Sequence, residues 1–340
     1  GGGFRRVISV AIICGGRSSE HEISCISASG IISAIDRSKY QPSLIGITRS
    51  GKWVSLPTDT KFEIKGGQLP EVPDNAPEIA INSIKADVIF PILHGPYGED
   101  GTIQGLIEML DIPYVGSGVL ASAVAMDKDF AKQIFKAHGI QVAPGFILRE
   151  HDAITDKGFS YPLFVKPARG GSSRGTHKVK SADQLVTAVK DAFKYDHKVL
   201  IESAIVGREV ECAVLERNGE VACSVPGEIK IDSKFEFYDF EAKYLDGATT
   251  VVAPADVKRD KDLQSAAIEA FRALGCSGLA RVDFFYTTDD QIIINELNTM
   301  PGFTATSVFP KLWSVSGLNY TEIISALIDT ALRRTNSVLN

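Results

Sequence analysis

The sequence has few cysteines, no long apolar run and no basic tract, and each absence restricts what the protein can be. Its five cysteines are scattered through apolar segments without metal-type spacing, so we expect reduced, mostly buried thiols in a cytoplasmic protein. No apolar run reaches the roughly 20 residues of a membrane-spanning helix. The net charge is -6, which argues against a nucleic-acid partner. An acidic chain that binds phosphate must therefore do so through local lysines and backbone N–H groups.

What the sequence does contain is ordinary globular composition, with 340 residues, 44% hydrophobic and 23% charged. This length predicts about two or three domains. Residues 7–14 form a buried-type strand, a glycine-rich turn follows, and a helix of small residues is predicted over 23–35. Strand, glycine-rich turn and helix open a doubly wound α/β unit. Ser18 or Ser19 is the expected N-cap of that helix.

Two polar residues follow strands at the edge where such folds bind ligands. Glu20 lies just after the first strand, at the carboxyl ends of the sheet. Both Glu20 and Glu22 could instead simply complement the helix dipole, an explanation that suits Glu22 well. His94 follows the strand predicted at 87–93 and precedes glycines; a structural role and a ligand-binding role are about equally supported.

Further periodic segments predict the remaining elements. Strands are expected at 43–48, 198–202, 209–215 and 221–225, with a hairpin after 51 and another at Asn218-Gly219. A helix is expected at 119–125, and after residues 126–129 a second helix runs to about 138. Further helices are expected at 183–195, 260–274 and 320–334, and another starts near 102. Residues 58–77 are rich in proline, glycine and charge, and they predict a loop. No repeat is present.

Residues 281–301 predict two strands joined by a polar turn. Asp283 then lies across from Glu296 and Asn298, and the latter two face the same side of an extended chain. Two carboxylates and an amide oxygen form the hard donor set that Mg²⁺ accepts. Arg281 shares the face of Asp283, where a guanidinium could meet a phosphoryl oxygen or an oxyanion. A surface hairpin with solvated charges is the alternative.

Two loops complete the set of candidate sites. A strand ends at Lys166 and leads into glycines, Ser172, Ser173 and Arg174, a composition that favours anion binding without being a Walker loop. A loop that is merely mobile without ligand is the alternative. Residues 235–245 mix aromatic and charged side chains without a helix or strand period, which is typical of a lid.

In combination the motifs resemble the D-alanine–D-alanine ligases of the ATP-grasp superfamily. They are GGRSSEHEIS, HGPYGEDGTIQG, MDK, KPARGGSSRG, YDFEAKY, GLARVDFF and NELNTMPGFT, in the family's order and spacing. The resemblance implies three α/β domains: an N-terminal doubly wound (pre-ATP-grasp) domain over 1–116, a central ATP-grasp domain over 117–204 and a C-terminal one over 205–340. ATP would bind between the last two.

The resemblance also implies roles for individual residues. The nucleotide contacts are Lys128 and Lys166 for the α- and β-phosphates, Ser173 in the loop, Lys243 for the γ-phosphate, and Glu202, Ile205 and Glu209 for adenine and ribose. Two Mg²⁺, for which Mn²⁺ is a possible substitute, are bound by Asp283, Glu296 and Asn298. The substrate contacts are Glu20 for the first ammonium, Ser172 and Tyr244 as its partners, His94 near the first carboxylate, Ser307 for the second carboxylate and Arg281 for the oxyanion.

The implied reaction joins two D-alanines into D-alanyl-D-alanine through an acyl phosphate, for peptidoglycan precursors. The family suggests a cytoplasmic homodimer formed through the N-terminal domain, without membrane or nucleic-acid partners. Tyr244 favours this dipeptide, because the D-lactate-using ligases carry a histidine there; D-serine as second substrate stays open. Arg174 departs from the small aliphatic residue usual in its loop and points to solvent or contacts phosphate. A carboxylase-type ATP-grasp enzyme would lack Glu20 and YDFEAKY, and a non-enzymatic nucleotide-binding regulator would bind ATP without turnover.

Overall fold

The structure, a computed structural model, describes residues 5–170, 174–231 and 249–334. Within these ranges the strands form three sheets, which helices cover and connect. The predicted mixed α/β fold with three parts is therefore confirmed. In the same ranges no helix has the length and apolar character needed to cross a membrane.

The N-terminal sheet is covered on both faces. Its strands are β1 (Ile8–Gly15), β2 (Tyr40–Ile47), β3 (Trp53–Leu56) and β4 (Val88–Pro91), in the order β3-β2-β1-β4. β1 runs parallel to β2 and β4, and β3 returns antiparallel to β2. Alternate residues of a strand face opposite sides, so Val10 packs toward α1 (His21–Ala34) and Ala11 toward α2 (Thr102–Met109). This is the doubly wound arrangement that the sequence predicts.

The central sheet is small and antiparallel. It consists of β5 (Gly145–Arg149), β6 (Leu163–Pro167), β7 (His177–Val179) and β8 (Lys198–Ser203), in the order β5-β8-β6-β7. α5 (Ala182–Ala192) covers it by burying Leu185 and Val189 against Val165 and Ile201. Of these strands, β5 and β7 are not anticipated from the sequence, because each is too short to show a clear alternation.

The C-terminal sheet is the largest of the three. Its strands are β9 (Arg208–Arg217), β10 (Glu220–Cys223), β11 (Gly227–Ile231), β12 (Thr249–Val252), β13 (Leu279–Tyr286) and β14 (Ile292–Asn298). The order is β12-β11-β9-β13-β14, with β10 also paired to β9. The hairpin at Asn218-Gly219 is confirmed, since both residues have the positive φ that a tight two-residue turn requires.

Several helices pack on a sheet that is distant in sequence. α3 (Val119–Met126) leads to α4 (Lys128–Ala137), which joins α6 (Asp260–Ala273) in the core of the C-terminal sheet. α7 (Val308–Val315) and α8 (Tyr320–Arg333) instead complete the core of the N-terminal sheet. α7 is missed by the sequence analysis; it contains Pro310, which a helix tolerates in its first turn.

The contact between α8 and α1 is direct. The hydroxyl of Thr321 donates a 2.7 Å hydrogen bond to the carbonyl oxygen of Ala34, across 287 residues of sequence. Between them the ring of Phe303 is fully buried and lies against Phe90, Phe309 and Tyr320. The two ends of the chain therefore share one apolar core.

Candidate active site

Two adjoining cavities lie where the three sheets meet. The larger has a volume of about 580 Å³, and its lining includes Glu20, His94, Lys128, Arg281, Glu296, Asn298 and Ser307. The smaller, of about 100 Å³, is lined in part by Lys128, Lys166, Glu202, Ile205, Glu209, Asp283 and Glu296. Every predicted site residue within the described ranges thus borders one cavity or both. Ser172, Ser173, Lys243 and Tyr244 lie outside those ranges.

Glu20 reaches the larger cavity from the turn after β1. It is the residue that precedes α1, so the expectation that Ser18 or Ser19 caps this helix is wrong. The Ser18 hydroxyl instead donates to the carbonyl oxygen of His94 (2.7 Å) and accepts from the N–H of Glu20 (3.1 Å). Gly95 has a φ of 71°, and a Cβ there would come within 2.9 Å of a Glu20 carboxylate oxygen. The turn and the loop after β4 therefore require glycine at this point.

His94 is buried and neutral. Its Nδ1 lies 2.8 Å from the carbonyl oxygen of Met300, so this nitrogen carries the proton. Burial lowers the pKa of His94 below its ordinary value. Nε2, which has no hydrogen-bond partner among the described residues, is then an acceptor. A contact between Nε2 and a substrate carboxylate therefore requires a protonated ring.

Glu99 is a residue of this site that the sequence analysis quoted in a motif without giving it a role. Its carboxyl group accepts the N–H of Gly95 (2.9 Å) and lies 4.0 Å from Nδ1 of His94. Burial raises the pKa of Glu99 well above its ordinary value, and the nearby carboxylate of Glu20 adds to this. The larger cavity is therefore bordered by a carboxyl group whose raised pKa favours the protonated form. Nothing in the sequence distinguishes this buried acid from its exposed neighbours.

Arg281 links acidic residues of two adjacent strands. Its guanidinium holds Asp283 through two hydrogen bonds of 2.8 and 2.9 Å, and it lies 2.9 Å from the carboxylate of Glu211. Asp283 is registered opposite Glu211 on β9 and opposite Glu296 on β14. Glu211 is missed by the sequence analysis, although it lies two residues after Glu209 on the same strand.

The predicted pairing of the β13–β14 hairpin is confirmed for Asp283 and Glu296, but Asn298 lies opposite Arg281 instead of Asp283. Within the described ranges no group of three or more histidine, cysteine or acidic side chains could hold a metal. The proposed donors are two carboxylates and one amide, all oxygen ligands of the kind that Mg²⁺ prefers. Each carboxylate oxygen carries two lone pairs, so Asp283 could bind a metal while it still accepts from Arg281. The residues present therefore fit a magnesium site.

The smaller cavity holds a lysine–glutamate network. Glu202, at the end of β8, pairs with Lys166 through one carboxylate oxygen and with Lys132 of α4 through the other. Burial alone would raise the pKa of Glu202, but the two ammonium groups outweigh it and hold the pKa below its ordinary value. Lys132 is not singled out by the sequence analysis, although its i, i+4 spacing from Lys128 places both lysines on one helix face.

A bulge in β14 supplies another partner for Lys166. The pairing with β13 shifts between Asp283 and Phe284, which leaves Asn295 as the extra residue. Its amide oxygen accepts a 3.2 Å hydrogen bond from Lys166. Such bulges reorient side chains near functional sites, and a simple alternation pattern does not reveal them. Arg174 is exposed and borders this same cavity.

The chain matches two family models that together span most of its length. The D-ala D-ala ligase N-terminus matches residues 9–117, and the D-ala D-ala ligase C-terminus matches residues 134–329. Among curated relatives, the D-alanine--D-alanine ligase of Frankia casuarinae is 46% identical, with 97% of this chain and 98% of the relative covered.

Solved structures agree with these matches. The VanG D-Ala:D-Ser ligase from Enterococcus faecalis has a TM-score of 0.82 and 36% identity, covering 96% of this chain and 100% of that one. The D-alanine-D-alanine ligase from Coxiella burnetii has a TM-score of 0.81 and 37% identity, covering 96% and 94%. At this identity and coverage, the similarity extends through both the fold and the sequence.

We expect Glu99→Gln to stabilise the protein by an amount that grows with pH. Folding raises the pKa of Glu99 above its unfolded value of about 4.3, so the folded state keeps a proton that the unfolded state has lost. The stability contribution of Glu99 therefore falls as pH rises from about 4.3 toward the raised pKa, by at most about 1.4 kcal/mol per pH unit. Glutamine accepts the Gly95 N–H without ionising.

Urea unfolding of both proteins between pH 5 and 8 measures this difference. Glu71→Gln, which changes an exposed carboxylate, is the matched control and should show a difference that does not vary with pH. A pH-independent difference for Glu99→Gln as well would mean that Glu99 ionises normally in the folded protein.

Proposed function

Because the chain belongs to the D-alanine–D-alanine ligase family, we propose that its two cavities are the amino-acid and nucleotide sites of the reaction. The enzyme joins two D-alanines into D-alanyl-D-alanine with ATP, for peptidoglycan precursor synthesis. The observation that supports this use of the cavities is that Lys128 and Glu296 border both. A group at their junction can contact both ATP and an amino acid.

The nucleotide is proposed to bind in the smaller cavity. Lys166 and Lys128 supply positive charge for the phosphates, and Glu202, Ile205 and Glu209 line the part assigned to adenine and ribose. Lys166 pairs with Glu202, and a phosphate would compete for this ammonium group. Ser173 and Lys243 are proposed as further phosphate contacts. Mg²⁺, bound by Asp283, Glu296 and Asn298, would neutralise charge on the transferred phosphoryl group.

The two amino acids are proposed to bind in the larger cavity. Glu20 is a buried acceptor suited to the first ammonium group, with Ser172 and Tyr244 as proposed partners, and His94 borders the same space. Ser307, which precedes α7, is proposed for the second carboxylate. A carboxylate is a poor acyl donor, so the γ-phosphoryl group of ATP is first transferred to a carboxylate oxygen of the first D-alanine.

The second step forms the peptide bond. The neutral amine of the second D-alanine attacks the acyl carbon of the acyl phosphate. The C–O bond breaks, and inorganic phosphate leaves with the proton that the attacking nitrogen gives up. The negative charge that develops on the acyl oxygen is proposed to be stabilised by Arg281. Since Arg281 is shared between Asp283 and Glu211, a metal on Asp283 would draw charge from that carboxylate and leave the guanidinium freer for the oxyanion.

We also propose a cytoplasmic location and a preference for D-alanine over D-serine as second substrate. Cys14, Cys25 and Cys212 are buried free thiols, which suit a reducing compartment. D-serine is the competing second substrate, because a D-Ala:D-Ser ligase is among the similar structures.

The activity predicts that ATP, Mg²⁺ and D-alanine alone give D-alanyl-D-alanine with one ADP per dipeptide. A coupled ADP assay with the product identified by mass measures this. ADP release only after D-serine is added would overturn the second-substrate assignment. ATP binding without turnover would contradict the ligase activity and favour a nucleotide-binding regulator.

Within the same assay, Glu20→Gln should raise the KM for D-alanine about 10- to 100-fold, the scale of a lost charged hydrogen bond. Glu22→Gln is the matched control, since Glu22 lies two residues later and pairs with Arg49 outside the cavity. Equal KM values for the two variants would contradict the role of Glu20.

Removal of the metal-site carboxylate Asp283 should weaken metal binding. For Asp283→Asn we expect the apparent Mn²⁺ dissociation constant, measured by electron paramagnetic resonance with ATP present, to rise at least about 10- to 100-fold, the change known for the partners of metal ligands. The control is Asp289→Asn in the exposed turn of the same hairpin. This variant should leave the apparent Mn²⁺ dissociation constant unchanged. Unaltered Mn²⁺ binding to Asp283→Asn would exclude this site.

We further propose a homodimer that buries α2 and the adjoining α3. Met109 on α2 and Leu120 on α3 are 88% and 75% exposed, and they lie on two helices that pack against each other, the kind of grouping that marks an interaction surface. Met109→Glu with Leu120→Glu should give the monomer mass by light scattering, whereas Val206→Glu, at a residue 83% exposed in the C-terminal part, should not. A monomeric parent protein at all concentrations would contradict the dimer.

A further inference from the structure

A buried cation joins the start of α4 to the central sheet. Lys198, the first residue of β8, is only 6% exposed. Its Nζ donates to Oδ2 of Asp127 (2.7 Å) and to Oδ2 of Asp129 (3.1 Å), and it lies 4.0 Å from the centre of the Phe130 ring. The reaction described above uses none of these side chains.

The two carboxylate oxygens of Asp127 make different contacts. Oδ1 accepts the N–H groups of Asp129 and Phe130, both at 3.0 Å, and so caps α4. Oδ2 is left for Lys198. The first turn of α4 is therefore fixed by its cap and is also tied, through the same carboxylate, to a strand of another sheet.

Lys128 lies between Asp127 and Asp129 in the sequence, and its backbone is hydrogen-bonded to the segment that pairs with Lys198. Its N–H donates to the carbonyl oxygen of Ala168 (2.8 Å), and the N–H of Ala168 donates to the carbonyl oxygen of Lys198 (2.9 Å). The Nζ of Lys128 donates to the carbonyl oxygen of Gly170 (2.9 Å), where the glycine–serine loop begins. These hydrogen bonds connect Lys198, Lys128 and the start of the loop in one series.

A second ion pair holds Arg169, the residue that directly precedes Gly170. Arg169 bonds to Asp196 through its backbone N–H (2.8 Å) and through Nη2 (2.9 Å), and Asp196 also accepts the N–H of Lys198 (3.2 Å). Buried ion pairs add little net stability compared with apolar packing, because desolvation offsets their attraction. Their main effect here is to fix the positions of the groups they join.

We propose that Lys198 is a positioning residue for the nucleotide: by holding Asp127 and Asp129, it sets where the ammonium group of Lys128 and the start of the glycine–serine loop meet the phosphates of ATP. The inference rests on the proposed nucleotide site and extends it to a residue that touches no substrate. The ligand class is the polyphosphate of a nucleoside triphosphate. The proposed amino-acid contacts Glu20, Arg281 and Ser307 border the larger cavity from other elements, whereas Lys128 borders both cavities.

The test compares the KM values for ATP and for D-alanine in Lys198→Met. We expect the KM for ATP to rise about 30-fold, within the loss of up to about 100-fold that a misplacement of roughly 1 Å produces. The KM for D-alanine should stay within about twofold of the parent, because Glu20 and Arg281 keep their positions. Direct titration with ATP, without D-alanine, should show the same loss of affinity.

The variant also removes the ammonium partner of the buried Asp127 and the partly buried Asp129, which destabilises the fold. Lys198→Met combined with Asp127→Asn and Asp129→Asn removes that repulsion, and asparagine still caps α4. We expect thermal stability to recover while the KM for ATP stays high. Recovery of the KM together with stability would show a purely structural role and overturn the proposal.

Asp191→Asn is the matched control, since it breaks an ion pair with His177 at the surface of the central sheet. It should leave the KM for ATP unchanged. Absence of ATP turnover by the parent enzyme would reject the proposed function itself. Normal turnover by the parent with an unchanged KM for ATP in Lys198→Met would reject only the positioning role.

Discussion

The guanidinium of Arg281 lies between the carboxylates of Asp283 and Glu211, and the rest of the site depends on this contact. Strand register places Glu211, Asp283 and Glu296 side by side across three strands, where like charges repel. One buried cation offsets that repulsion in the absence of metal. The sheet can therefore fold with its acidic face already assembled. The same electrostatic balance makes the face receptive to a divalent cation, which supplies the remaining positive charge.

In the nucleotide cavity the charges are reversed: several ammonium groups are held in place by one carboxylate. Lys166 and Lys132 converge on Glu202, and Lys128 bonds to a backbone carbonyl. These ammonium groups are held in place before any phosphate arrives, so little side-chain entropy is lost on binding. Phosphate must nevertheless compete with the existing carboxylate. Such a site binds phosphate less tightly, but its lysines are already ordered. The amide oxygen of Asn295, at the bulge, also accepts a hydrogen bond from Lys166 without adding negative charge.

Much of the architecture follows from local pattern, whereas much of the site does not. Apolar runs and turn residues predict the doubly wound sheet, the Asn218-Gly219 hairpin and the pairing of Asp283 with Glu296, because each depends on neighbours in sequence. Glu99, Glu211 and Lys198 were missed because burial and distant partners give them their properties, and a single sequence reports neither. Propensity assigns the cap of α1 to serine, but the Ser18 hydroxyl is held by the backbone carbonyl of His94 in the loop after β4; tertiary contact overrides local preference.

The shared core of the N-terminal sheet and α8 also bears on how the chain acquires its structure during synthesis. Val10, Phe90 and Leu327 belong to one apolar cluster, so the first sheet completes the burial of its α1 side only after α8 has been synthesised. A nascent chain folds its domains from the N-terminus as they emerge, yet here the first sheet waits for a late helix. Contacts across such a sequence separation slow folding and leave apolar surface exposed meanwhile. The α1 side of the first sheet is thus an apolar surface for a chaperone to cover during translation.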